Sequence, residues 1–175
     1  MKITLFWLAG SGTSTVGKML AEQMQLTFMS SGNILRAWAR DEWYESIYEF
    51  EDQVAKHDTT FDIKLDNKVA EYGSTQDNFI FESRLAWHFI PGSIKIYLDC
   101  DESERYRRIF QREWWDTQAI IDKNTKRESE LVERYNEVYP DISFPPQKDV
   151  FDIYIDGTNI RPKEIVEQII SHINA

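Results

Sequence analysis

The 175-residue chain carries 20 Lys and Arg against 30 Asp and Glu, a net charge of −10 at pH 7, and 42% of its residues are hydrophobic, with 6 Trp, 8 Tyr and 10 Phe. That length predicts one domain, and that much apolar surface excludes wholesale disorder. The negative charge excludes broad electrostatic attraction to nucleic acid or an anionic membrane, so any phosphate site has to be a local cluster of cations. Cys100 is the only cysteine, which rules out an intramolecular disulfide, and no Cys/His group has zinc-ligand spacing. The cytoplasm is the expected compartment. The opening MKITLFWLAG falls short of a signal-peptide core with its flanks and of the roughly 20 apolar residues that span a bilayer, so it is expected as a buried strand.

In chain order, short apolar runs at 2–7, 26–30, 78–82, 94–99 and 151–155 predict five strands buried on both faces. Helical periodicity lies between and after them: Val16, Leu20 and Met24 follow the first strand, and Ile160, Ile165, Ile169 and Ile173 follow the last. Strands alternating with helices predict an α/β fold, a five-stranded parallel sheet covered on both sides. No repeat or low-complexity segment interrupts it, and Pro145-Pro146 marks a loop before the last strand.

Two stretches exceed a minimal α/β core and are expected as helical insertions over the sheet. Residues 33–73 are acidic and helical, and residues 102–139 carry a long charged helical pattern broken near Asp116 and Asn124. The sheet core is then 1–32, 74–101 and 140–175 of a single domain. Trp43, Ile47 and Phe50 recur at three- to four-residue spacing, which predicts one apolar helix face.

The most informative stretch is Gly10-Ser11-Gly12-Thr13-Ser14-Thr15, directly after the first strand and before an amphipathic helix. A phosphate-binding loop requires that context: glycines let backbone N–H groups turn around a phosphate, and the helix aims its positive end at the same anion. Ser14 would offer a hydroxyl to Mg²⁺ and Thr15 another to a phosphate. A plain glycine-rich turn has the same glycines. The loop departs from G-x-x-x-x-G-K-[ST] twice, with Trp7 at the first glycine and Thr13 at the lysine. The lysine ordinarily follows the migrating charge on the β and γ phosphates, and a neutral Thr13 supplies none. Lys18 lies about 140° around the helix and one turn down, a poor replacement.

From these residues onward the chain resembles the nucleoside monophosphate kinases, closest to the short archaeal-type cytidylate kinases, over nearly its whole length. The loop GSGTST matches the family's GSG[KT][ST]T. Ser30-Ser31-Gly32-Asn33-Ile34-Leu35-Arg36 matches an SxG followed by [IL]xR, and Phe81-Glu82-Ser83-Arg84-Leu85-Ala86 matches x-E-[GS]-R-L-A. A lid of the form RxxRIxxRE followed by RE and RY matches Arg105, Arg108-Ile109, Arg112-Glu113, Arg127-Glu128 and Arg134-Tyr135. The segment Asp62-Ile63-Lys64-Leu65-Asp66 resembles the family's ID-x-x-LD element near the acceptor nucleotide, and fits a solvated helix face equally well.

The resemblance implies a P-loop NTPase fold whose insertions are an NMP-binding arm (33–73) and a lid (102–139). It implies ATP and Mg²⁺ as cofactors and phosphorylation of a nucleoside monophosphate, foremost CMP or dCMP. The loop Gly10–Thr15 would hold ATP phosphates; Ser31, Gly32, Arg36, Asp66 and Arg84 would hold the acceptor; Arg112, Arg127 and Arg134 would neutralise the transferring group; Ser14 and, through water, Glu82 would hold the metal. Asp99, ending a neighbouring strand, is a weaker candidate. Independently, nine of ten arginines lie between residues 36 and 134, a concentration of planar donors suited to phosphate, although 30 carboxylates are available to pair them. No nucleic acid or membrane partner is expected, and the chain is expected as a monomer or homodimer. His57, His88 and His172 show no ligand or catalytic spacing. Two other readings stay open: a catalytically weak or inactive nucleotide-binding protein, and a P-loop kinase of another small metabolite.

Overall fold

The structure, a computed structural model, describes residues 1–45, 47–50, 53–54, 58, 60–113 and 117–175. Five strands form one sheet: β1 (Lys2–Phe6), β2 (Thr27–Ser30), β3 (Phe79–Glu82), β4 (Ile94–Asp99) and β5 (Ile153–Asp156). The order is β2-β3-β1-β4-β5 and every pair is parallel, the expected fold. The register pairs Leu5 with Glu82 and Ser30 with Glu82, so the carboxyl ends of β1, β2 and β3 finish level. Open α/β sheets bind ligands at that edge, where neighbouring crossovers leave in opposite directions.

Alternation along each strand builds two apolar layers. Ile3, Leu5, Ile80, Ile96, Leu98, Ile153 and Ile155 pack on α1 (Thr13–Met24) and the C-terminal helix α8 (Pro162–Ile173) through Val16, Leu20, Ile165, Val166 and Ile169. On the opposite face Phe6 and Tyr97 meet Leu131, Tyr135 and Phe144, while Phe79 and Phe81 meet Val69 and Ile90. The central strands are buried on both faces. The edge strands are not: Thr27 is exposed on β2, and Tyr154 and Asp156 on β5.

The remaining helices form two arms above the carboxyl edge. The first contains α2 (Ser31–Asp41), α3 (Ile47–Phe50) and α4 (Phe61–Thr75), followed after β3 by the single turn α5 (Ala86–Phe89). The second is α6 (Glu102–Glu113) and α7 (Thr117–Val138). Three expectations are corrected. Trp43 is 94% exposed and belongs to no apolar face, although Phe50 is buried. The reason is local: α2 ends in a paired-turn stop, with Trp43 N–H bonded to Arg40 O (3.1 Å) and Tyr44 N–H to Ala39 O (2.9 Å), and Trp43 itself at φ 66°. Asn124 breaks nothing, since α7 runs through it. Asp62 and Asp66 are 3% and 2% exposed, so that side of α4 is not solvated. The side chain of Ile47, together with His57 and Asp116, lies outside the described residues.

Candidate active site

Beyond Phe6 the chain leaves the sheet and wraps into a loop. Ser11 N–H bonds Leu8 O (3.1 Å), and Gly12 O accepts from both Thr15 and Val16 to start α1. Gly10 and Gly12 stand at φ 86° and 91°, a region only glycine enters without strain. Gly10 has a second reason: a Cβ there would lie 2.5 Å from the carbonyl oxygen of Arg105, whereas at Gly12 it would meet only Arg108 Nη1 at 3.6 Å.

The loop floors a cavity of about 710 Å³. Around it stand Ser31, Gly32 and Arg36 from the β2–α2 corner, Glu82 and Arg84 from the end of β3, Asp62 from α4, and Arg127, Arg134 and Tyr135 from α7. Thr158, Asn159 and Arg161, ahead of α8, complete the lining with Arg107 and Arg108 of α6. Seven arginines among the described residues line one space in a chain of net charge −10, the local cation cluster that a phosphate site demands.

Ser14 Oγ donates to both oxygens of Glu82, at 2.8 and 2.9 Å. Burial raises the Glu82 carboxyl above its ordinary range, while hydrogen bonds from Ser14 and Thr13 and the charges of Arg36 and Lys18 work the other way. Ser30 Oγ caps α2 by accepting from Asn33 N–H (3.1 Å), and Asn33 Oδ1 accepts from Arg36 Nη2 (2.7 Å), so the corner orients its own arginine. Arg84 lies over the indole of Trp7 at 5.5 Å from the ring centroid.

The two arms touch above this floor. Arg134 of α7 donates through Nε and Nη2 to Asp62 of α4. One turn along α4, Asp66 accepts from Tyr139 Oη (2.8 Å), and burial pushes its carboxyl up to about 7. Of the residues expected at the site, the loop, Ser31, Gly32, Arg36, Glu82, Arg84, Arg127 and Arg134 line the cavity, while Asp66 does not. Arg112 lies on α6, and its side chain is outside the described residues. Asp99 is engaged elsewhere, with Lys148 and Tyr154. Sequence reasoning overlooked Asp62 as the cavity-lining member of its pair, and Arg105 and Arg108 as supports of the loop. Their three-residue spacing on a helix is the signal that puts both on one face.

A parallel sheet with a glycine loop between β1 and α1, a hydroxyl–carboxylate pair at the loop and an arginine-lined cavity defines a P-loop nucleotide-binding protein. A family model described as an AAA domain matches residues 3–135. A cytidylate kinase of Methanosarcina mazei is 36% identical over 162 residues, covering 90% of this chain and 87% of the relative. An S-adenosylmethionine-dependent nucleotide dehydratase of Lacinutrix mariniflava is 30% identical over 175 residues; the match takes in 98% of this chain and 35% of that longer protein. Among solved structures, a shikimate kinase of Acinetobacter baumannii in complex with shikimate superposes with a TM-score of 0.64 at 16% identity, covering 98% of this chain and 92% of that one, a likeness of fold. The chain belongs to the cytidylate kinase-like family of P-loop proteins. No helix among the described residues is long and apolar enough to cross a membrane.

Proposed function

We propose that the protein transfers the γ-phosphoryl group of ATP to a nucleoside monophosphate, with CMP and dCMP the foremost acceptors. The observation that carries this reading is the single cavity joining the glycine loop to Arg36, Arg84, Arg127 and Arg134. Its lining brings the loop's backbone and seven guanidinium groups among the described residues to one space of about 710 Å³. The cytidylate kinase relatives favour a nucleotide as acceptor, and a relative named for nucleotide dehydration is in keeping with that class.

In this reading the loop N–H groups and the start of α1 bind the donor phosphates, and Arg36 and Arg84 bind the acceptor phosphate. Arg127 and Arg134, with Arg112, neutralise charge as the two ligands align. Alignment and electrostatics in a water-poor site supply most of the rate, so no side chain has to act as a strong base. The donors at Ser14 and Glu82 are all oxygen, as a hard cation requires. No cluster of three or more acidic, histidine or cysteine ligands exists among the described residues. That set fits Mg²⁺, which keeps waters and shares phosphates with its protein ligands. When bound, the metal would offset phosphate charge, with Ser14 contributing its hydroxyl and Glu82 a water contact. Residues 33–73 would act as the acceptor arm and 102–139 as the lid.

The test is ADP release from ATP and Mg²⁺ with CMP, dCMP, UMP, AMP, GMP and dTMP in turn. Turnover with one or two pyrimidine monophosphates is expected, and Arg84→Ala is expected to remove acceptor binding while sparing ATP binding. The neutral Thr13 favours a second reading, a nucleotide-binding protein with little turnover. ATP binding without turnover on any acceptor would select it, and turnover with shikimate or gluconate alone would select another small-metabolite kinase.

A further inference from the structure

Thr13, 2% exposed, stands where a phosphate loop ordinarily carries lysine, so the loop's own side chains bring no positive charge to the phosphates. Two guanidinium groups of α6 reach the loop instead, Arg105 from outside the cavity and Arg108 from its lining. Arg105 Nη1 donates to Ala9 O at 3.0 Å, and Arg108 Nη1 donates to Ser11 O at 3.1 Å. These carbonyls belong to alternate peptide groups. Each group is planar and trans, so its N–H points opposite to its C=O. The amide partnered with Ala9 O is that of Gly10, and the one partnered with Ser11 O is that of Gly12. A cation fixed on each carbonyl leaves both glycine N–H groups directed away from α6, and polarises them into stronger donors.

Both arginines are held in place. Arg105 is 5% exposed, does not line the cavity, and is paired with Glu128 of α7 at 2.7 Å, while its own backbone carbonyl is the atom packed against Gly10. Arg108 is fixed by Glu104 (2.8 Å) and by the carbonyls of Gly157 (2.9 Å) and Thr158 (3.0 Å). A surface salt bridge would need neither arginine to spend a donor on a loop carbonyl.

We infer that Arg105 and Arg108 are positioning residues that deliver positive charge to the phosphate loop through its peptide groups, in the role the missing lysine would fill. The inference rests on the proposed donor-phosphate role of the loop. It assigns a function to Arg105, which lies outside the cavity, and to the contact of the cavity-lining Arg108 with Ser11 O, and accounts for how a loop with Thr13 can still bind a phosphate.

Arg105 carries the test because it lies outside the cavity. ATP affinity is measured by calorimetry beside adenosine affinity, which reads the cavity without phosphates. Arg105→Met is expected to weaken ATP about tenfold, the loss of one charged hydrogen bond's influence, and to leave adenosine unchanged. Arg105→Lys recovers part of the loss. Thr13→Lys is expected to raise ATP affinity far more in the Arg105→Met background than in the wild type, which a purely structural role for Arg105 does not produce. Glu128→Gln serves if Arg105→Met fails to fold: neutralising that carboxylate leaves the Arg105 charge less compensated, and ATP affinity is expected to rise about twofold, whereas a structural brace would lose affinity. Equal ATP affinity in folded Arg105→Met, equal gains from Thr13→Lys in both backgrounds, or a loss in Glu128→Gln would overturn the inference while leaving the kinase reading intact. No ATP binding by the wild type would overturn that reading and this one with it.

Discussion

Trp7 and Arg84 form a cation–π pair in the lining of the cavity, the guanidinium 5.5 Å from the indole centroid. Trp7 occupies the position of the loop's first glycine, and its indole N–H is buried without a hydrogen-bond partner. A ring over a partly desolvated guanidinium contributes about 0.5–2 kcal/mol and fixes its direction. Trp7→Gly, which restores the usual loop residue, is therefore expected to weaken acceptor binding about fivefold to tenfold, with ATP affinity nearly unchanged. Trp7→Phe is expected to keep most of it. Acceptor titrations at saturating ATP check this; equal losses for the two ligands would mean the ring shapes the loop instead.

The two loop glycines are expected to separate in severity. Ala at position 12 faces a positive φ alone, a penalty of about 1–2 kcal/mol. Ala at position 10 meets the same penalty plus a backbone oxygen at 2.5 Å, so α6 or the loop has to move. Thermal melts and ATP titrations of both variants should rank Gly10→Ala as the more damaged in each measurement.

The Arg134–Asp62 pair is unevenly buried, with side chains 25% and 4% exposed. Arg134→Met leaves a nearly inaccessible carboxylate without its guanidinium, and about 3 kcal/mol of stability is expected to go. Asp62→Asn leaves a guanidinium that can turn to water, and about 1 kcal/mol is expected to go. Urea midpoints at pH 8 distinguish the two; a larger loss for Asp62→Asn would show that the pairing is dominated by the arginine side.

The raised carboxyl of Asp66 has a definite sign in the pH dependence of stability. Its folded value of about 7 lies above the ordinary 3.8, so the native state holds a proton that the unfolded chain releases. Stability from this group is complete below about pH 4 and is lost as pH rises through about 7. Glu82, also raised by burial, adds to the same trend. Asp66→Asn, whose amide oxygen can still accept from Tyr139, is expected to flatten that fall and to equal or exceed wild-type stability at pH 8. Denaturant titrations from pH 5 to 8 provide the check, and parallel curves for the two proteins would reject the assignment.

What was legible in the sequence was local. Each strand is a short apolar run, and the loop is marked by two glycines that the structure places at positive φ. The charged helical pattern in each arm is visible along the chain, and α6 and α7 form where that pattern runs. Contacts between residues far apart were not legible. Asp62 and Arg134 are 72 positions apart, and Arg105 and Ala9 are 96, so nothing near either partner announces the other. Trp43 misled because a helix stop that usually carries glycine carries a tryptophan here, and Asn124 misled because a weak helix former is tolerated within a long helix.

Besides packing Leu131 and Tyr135 into the apolar layer, α7 carries two long-range ion pairs. Arg134 ties it to Asp62 of α4, and Glu128, about 9 Å nearer its N-terminus, holds the arginine that grips Ala9. One helix therefore braces the cavity on both sides, through Asp62 at α4 and through Arg105 at the glycine loop, and a ligand that shifted one contact would, by reciprocity, alter the affinity at the other by the same factor.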